Sequence, residues 1–205
     1  MSTLEEVKIT LIGNAGVGKT CIIARYIEDT FSEKNEPTIG VNYKEKVLQR
    51  ENKQVQLNIW DTAGQEKYYS LGKHFYKESY IVILVYDITD QNSLSSLKTI
   101  WYPNLRKYGE EYTVLGVVGN KCDLYEKNNL ANEEQAKAFA KEINASIMLT
   151  SAKTGDGIEK LFKELVDKYY SPYFSQKTLE MKRRRATSFT VGKNGHNKKT
   201  KKKCC

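Results

Sequence analysis

With 205 residues, 28% of them charged and 40% hydrophobic, the chain is long enough for one domain with a sizeable core plus a tail, and too short for two comfortable domains. It holds no run of 18 apolar residues, which excludes a transmembrane helix, and MSTLEEVK at its start lacks the basic-then-apolar order of a signal peptide, so a cytosolic protein is expected. The net charge of +8 is unevenly spread: from Gln176 onward eleven Lys or Arg face one acid, Glu180, leaving 22 bases and 24 acids before it, so any attraction to an anionic surface follows the tail.

In chain order, residues 7–12 (VKITLI) alternate polar and apolar and run into GNAGVGKT (13–20), followed by the helix-like CIIARYIE (21–28). Strand, glycine-rich loop and helix in that order form a phosphate-binding βα unit. Two strand-like runs follow, 41–49 (VNYKEKVLQ) and 55–60 (VQLNIW), and the short polar stretch between them predicts an antiparallel hairpin. Residues 80–86 (YIVILVY) and 114–118 (VLGVV) are almost uniformly apolar, as strands covered on both faces of a parallel sheet are, and 146–150 (SIMLT) is a shorter strand. Helical patterns occupy about 93–108, 132–143 and 157–169. Alternating β and α segments with one hairpin predict a three-layer α/β fold: a mainly parallel six-stranded sheet, one antiparallel hairpin at its edge, helices on both faces. The expected domain covers residues 1–172. Apolar periodicity fails after Pro172, so 173–205 reads as a flexible basic tail, with 176–205 disordered. Cys21 and Cys122, without metal-ligand spacing, read as buried small residues.

The loop GNAGVGKT fits G-x-x-x-x-G-K-[ST], in which backbone N–H groups wrap phosphates, Lys19 neutralises their charge and the Thr20 hydroxyl ligates Mg²⁺. Asp61 ends a strand and starts DTAGQE, where a carboxylate can hold the Mg²⁺ hydration shell while the Gly64 amide meets a γ-phosphate; taken alone, Asp61 serves equally well as a cap. Asn120, Lys121 and Asp123 (NKCD) follow a buried strand, at the sheet edge where α/β proteins bind ligands. A carboxylate there accepts from both N1–H and the 2-amino group of guanine, and adenine has neither donor. Ser151, Ala152 and Lys153 follow the next strand and can cover the base, a backbone N–H facing O6.

GNAGVGKT, the threonine of PTIG, WDTAGQE, NKCD and SAK resemble the Ras superfamily of small GTPases in order and spacing over residues 7 to 170, and TIGVNYK, NIWDTAGQEKYYSLG, FYKES and LVYDIT resemble its Rab family. The resemblance implies a P-loop NTPase fold, binding of GTP and GDP with Mg²⁺, and slow hydrolysis of GTP. It implies nucleotide contacts from Asn14, Ala15, Gly16, Val17, Gly18, Lys19, Thr20, Cys21, Thr38, Gly64, Asn120, Lys121, Asp123, Ser151, Ala152 and Lys153. Thr20, Thr38 and Asp61 would serve the metal; Lys19, Gly64 and Gln65 the chemistry, Gln65 orienting the attacking water. Ile39, Gly40, Val41, Tyr43, Trp60 and Phe75 would form the effector surface. Rab members commonly carry an acid and a phenylalanine where this chain has Asn42 and Tyr43, a departure that bears on effector choice.

No arginine occurs between Thr30 and Lys44 to act as a finger in cis, and Arg25, beyond the phosphate loop, reads as a surface or packing residue. His74 in KYYSLGKHFYK reads as a surface residue beside a protein-binding segment. The tail sequence KKTKKKCC has lysine, not cysteine, at the position a C-a-a-X signal requires; Cys204 and Cys205 resemble the Rab arrangement in which both thiols carry geranylgeranyl chains. Thr187 and Ser188, beside KRRR, read as a solvated linker or a kinase site. Implied partners are effectors, an exchange factor, a GTPase-activating protein, and prenylation escort and GDP-dissociation inhibitor proteins. The expected monomer binds no nucleic acid and cycles between cytosol and the cytoplasmic face of an intracellular membrane. The competing reading takes KRRR and KKTKKK as RNA contacts or a nuclear signal and leaves both cysteines unexplained.

Overall fold

Residues 4–33, 38, 40–50, 53–62, 76–126, 130–180 and 183 are described by a computed structural model of the chain. Strand β1 (Glu5–Ile12) leads through the glycine loop into helix α1 (Lys19–Glu28); β2 (Val41–Arg50) and β3 (Lys53–Thr62) form the hairpin. Then come β4 (Ile81–Asp87), a helical run made of α2 (Gln91–Ser96), a π-helical turn (Leu97–Trp101) and α3 (Tyr102–Tyr108), and β5 (Val114–Asn120). A 3₁₀ turn (Cys122–Leu124), α4 (Leu130–Glu142), β6 (Ser146–Leu149) and α5 (Ile158–Tyr169) follow.

The six strands lie in the order β2-β3-β1-β4-β5-β6; β2 and β3 are antiparallel and every other pair is parallel. The period-two geometry of a strand divides β4 between two cores. Ile81, Ile83 and Val85 pack with α1 and α5, whereas Val82, Leu84 and Tyr86 pack with α2, α3 and α4. Both faces are therefore covered, which is why the sequence here is apolar without alternation. On α5, Ile158, Leu161, Phe162, Leu165, Val166 and Tyr169 are all buried, a stripe recurring every three to four residues. Phe162 stacks on Tyr26 of α1 with ring centroids 3.7 Å apart, fixing the two helices against one face. Because β1, β3, β4, β5 and β6 are mutually parallel, their C-terminal ends gather the following loops at one edge of the sheet.

Several features depart from the sequence expectations. The hairpin strands pair out to Arg50 and Lys53, so the connection is shorter than the polar stretch suggests. The helix predicted over 93–108 contains a π turn just before Pro103, which has no N–H to continue the α-helical ladder. Residues 172–180 are helical, although the tail was expected to start at 173: Pro172 suits a helix start, Phe174 packs on the α1/α5 core and Thr178 is buried. Part of the segment predicted disordered, 176–180, is thus ordered by contacts too sparse to make an apolar stripe. Cys21 and Cys122 are half-buried, not buried: Cys21 lines a cavity, and Cys122 stands between Lys121 and Asp123, which line it too.

Candidate nucleotide site

The loop after β1 turns sharply because its glycines adopt conformations closed to other residues. At Gly18, φ is +94° and a Cβ would lie 2.3 Å from Asn120 Nδ2, so only glycine lets the loop approach β5 this closely. Asn120 is 1% exposed and joins three segments: its Nδ2 donates to Val17 O (2.9 Å), and its Oδ1 accepts from Ala152 N (3.2 Å) and Thr150 Oγ1 (3.3 Å). Phosphate loop and base-side loop are therefore built around one amide.

Between them lies a cavity of about 470 Å³, lined along one wall by Ala15, Gly16, Gly18, Lys19, Thr20 and Cys21 and along the other by Asn120, Lys121, Asp123, Ala152 and Lys153. Thr38 joins the lining. Three expected contacts stand back from it. Val17 turns its side chain into the core, Ser151 is fully buried, and Asn14 is held by helix α2 and the π turn. Ser151 Oγ instead donates to Asp123 Oδ1 (2.6 Å), fixing the carboxylate expected to meet the base. Lys121 pairs with Asp87 at 2.6 Å. Gly64 and Gln65, with Ile39, His74, Phe75, Thr187, Ser188, Cys204 and Cys205, lie outside the described residues.

At the phosphate end Lys19 is 5% exposed, and its Nζ donates to the carbonyls of Gly13 and Asn14, both at 2.8 Å. Burial pulls its pKa down to about 8, opposed by the negative charge of Asp61. The hydroxyls of Thr20 and Thr38 lie 2.8 Å apart; Thr20 Oγ1 donates to Asp61 Oδ2 at 2.6 Å and Thr38 Oγ1 at 3.5 Å. Burial raises the Asp61 pKa, against the Thr20 hydrogen bond and the Lys19 charge, and Asp61 Oδ1 is buried without a hydrogen bond among the described residues. Three converging oxygen donors, one a carboxylate with an unused oxygen, fit a hard divalent cation such as Mg²⁺.

Phe31, Ser32, Glu33, Thr62 and Leu124 also line the cavity. Thr62 belongs to DTAGQE without having been singled out there, and the other four stand outside the motifs quoted above; the one signal for them in the sequence is an aromatic, Phe31, in an otherwise polar stretch after α1. Glu33 Oε1 lies 2.9 Å from Lys153 Nζ, spanning the two sides of the mouth. On the neighbouring sheet surface, Tyr43 of β2 and Trp60 of β3 meet edge to face at 5.5 Å, Tyr43 is 43% exposed, and Lys8 Nζ sits 4.5 Å from the Trp60 ring centroid. Gly40 enters β2 at φ +83°; of Val41 only its backbone place in β2 is described.

A sequence model of the Ras family matches residues 8–171. The chain is 41% identical to human "Ras-related protein Rab-22A" over 162 residues, covering 79% of this chain and 82% of that protein. It is 39% identical to rat "Ras-related protein Rab-31" over 163 residues (80% and 83%) and 38% identical to rice "Ras-related protein RIC1" over 169 residues (82% and 83%).

Proposed function

Because this chain belongs to the Ras family and is a Rab-type small GTPase, which converts GTP and water to GDP and phosphate, we propose that it acts as a slow, timed switch in vesicular membrane traffic. The observation that carries this reading is the two-ended cavity, with Lys19 beside the Thr20, Thr38 and Asp61 oxygens at one end and Asp123, Ala152 and Lys153 at the other. When bound, Mg²⁺ supplies charge neutralisation to the phosphate oxygens, held by Thr20, Thr38 and Asp61. Lys19 exchanges its two carbonyl partners for phosphate oxygens and gains its full charge. Asp123, steadied by Ser151, accepts from the two guanine donors, and the base-side loop covers O6.

Gly64 and Gln65 are assigned from their positions after Asp61, Gly64 to the γ-phosphate and Gln65 to the attacking water. With no arginine in residues 30–44, the transition-state charge is under-compensated. Turnover is then about 10⁻³ s⁻¹ or slower, and an arginine from an activating protein raises it about 10³–10⁵-fold. While GTP persists, Thr38 and Gly64 hold their segments to the γ-phosphate, and effectors read Ile39, Gly40, Val41, Tyr43, Trp60 and Phe75. Geranylgeranyl chains on Cys204 and Cys205, together with the basic tail, hold the monomer on an intracellular membrane, since one chain alone attaches only reversibly. Escort and GDP-dissociation inhibitor proteins carry the lipidated form through the cytosol.

Replacing Asp123 with Asn tests the base site. Guanine affinity falls and xanthine affinity rises, because the 2-oxo group of xanthine accepts from the new amide; undiminished GTP binding contradicts the assignment. Mass spectrometry of protein from its own cells tests the anchor: two added C20 chains support it, and unmodified thiols with co-purifying RNA contradict it.

A further inference from the structure

We infer that Arg25 is a positioning residue for the base side of the cavity and sets how long a guanine nucleotide stays bound; this rests on the base-site reading of Asp123, Ala152 and Lys153. Arg25 lies in the last turn of α1, and its side chain is only 17% exposed. All three guanidinium nitrogens are used. Nε donates to Ala152 O at 2.9 Å, Nη2 to Lys153 O at 2.9 Å, and Nη1 to Asp29 O at 3.0 Å and Asp29 Oδ1 at 2.9 Å. A planar fork meets two successive carbonyls in a way a lysine ammonium cannot. Its apolar stem passes beneath the same loop, where a Cβ on Gly155 would lie 3.7 Å from Arg25 Cδ.

The consequence is a clamp on both lips of the pocket. Ala152 is gripped on two sides, its N–H by Asn120 and its carbonyl by Arg25. Lys153, held by its carbonyl, extends its ammonium to Glu33 on the opposite lip. The third carbonyl belongs to Asp29, whose own N–H donates to Arg25 O to close the left-handed end of α1 (φ +52°), and from there the chain proceeds to the cavity-lining residues Phe31, Ser32 and Glu33. One half-buried guanidinium thus fixes where the base-side loop and the segment after α1 stand relative to each other. None of its bonds reaches Lys19, Thr20, Thr38 or Asp61. Residence time and chemistry are consequently separable at this residue.

The test loads the full chain with fluorescent GDP and follows release into excess unlabelled GTP, with Mg²⁺ and again with EDTA. Arg25→Ala should release GDP about 10- to 100-fold faster, the loss of two or more charge-assisted hydrogen bonds being partly offset by water. Arg25→Lys, which restores one donor, should fall between it and the parent. Asp29→Asn, which removes the charge of an exposed ion pair, keeps a residue that tolerates the left-handed φ of +52° and spares the carbonyls, should stay within about twofold. The acceleration should be the same with Mg²⁺ and with EDTA, and single-turnover hydrolysis of prebound GTP should be unchanged, neither of which a general loosening of the fold would produce. Parental release in Arg25→Ala, or in Arg25→Lys should the alanine variant not fold, overturns the inference while leaving the base site standing. A fall in hydrolysis parallel to the gain in release also overturns it. A parent chain that takes up no GDP removes the base-site reading and the inference together.

Discussion

Replacing Asn120 with Ala removes the amide on which both nucleotide loops are hung. The side chain is 1% exposed and serves Val17 O, Ala152 N and Thr150 Oγ1 at 2.9, 3.2 and 3.3 Å. A buried group left without its partner costs about 1–3 kcal/mol. Thr150 can turn its hydroxyl, and water can enter a polar gap of this size, so two stranded backbone groups set the net loss at about 3 kcal/mol. That is a large part of the 5–15 kcal/mol typical of a domain. Urea unfolding of the GDP-loaded protein should show a lower midpoint with an unchanged slope, and fluorescent GDP should leave about 100-fold faster because phosphate loop and base-side loop lose the same support. Asn120→Asp, which keeps the acceptor for Ala152 N but opposes a carboxylate to Val17 O, should be no milder. An alanine variant within 1 kcal/mol of the parent, with parental release, would refute the reasoning.

Gly18→Ala should destabilise by about 2 kcal/mol or more, since φ is +94° and the new methyl meets Asn120 Nδ2 at 2.3 Å; joined to Asn120→Ala it should cost less than the sum, because the second change removes the obstacle, and denaturation of the four proteins of this cycle checks that sign. Nucleotide binding should weaken above pH 8. Burial lowers the Lys19 pKa to about 8 in the unliganded chain and the phosphates restore the charged form, so binding takes up a proton once pH exceeds that value. Affinity should fall about fourfold between pH 7 and 8.5, with proton uptake visible by calorimetry in buffers of different ionisation enthalpy; a flat profile counts against it. Trp101→Phe withdraws the indole N–H from Asn14 Oδ1 (2.8 Å) and leaves a small void at a residue 3% exposed, so stability should drop by about 2 kcal/mol in chemical denaturation.

What was legible in the chain is what local pattern determines. The apolar runs 80–86 and 114–118 announced strands covered on both faces, and β4 and β5 are buried at every position. The stripe on α5 and the glycine loop between β1 and α1 were equally plain, because residues a few positions apart carry them. Contacts joining distant parts of the chain were not. Arg25 and Ala152 lie 127 residues apart, and nothing in ARYIE distinguishes a clamp from a surface arginine. The π turn at Leu97–Trp101 answers to Pro103 and to Asn14, 87 residues before Trp101, so no periodicity within the helix discloses it. Asn120 was expected as a nucleotide contact, and its place as a strut depends on Gly18 bringing the phosphate loop within reach. Phe31 and Glu33 stand outside any motif and reach the cavity only because α1 ends at Glu28 and points the chain along its mouth.

Single-turnover hydrolysis of GTP by the purified chain, in the parent and in Gln65→Leu, tests the central claim of a slow guanine-nucleotide switch most directly. The parent should hydrolyse bound GTP unaided at about 10⁻³ s⁻¹ or below, and Gln65→Leu should retain GTP while hydrolysing it more slowly still. Several turnovers per second from the parent alone, or a Gln65→Leu rate equal to the parent's, would contradict it.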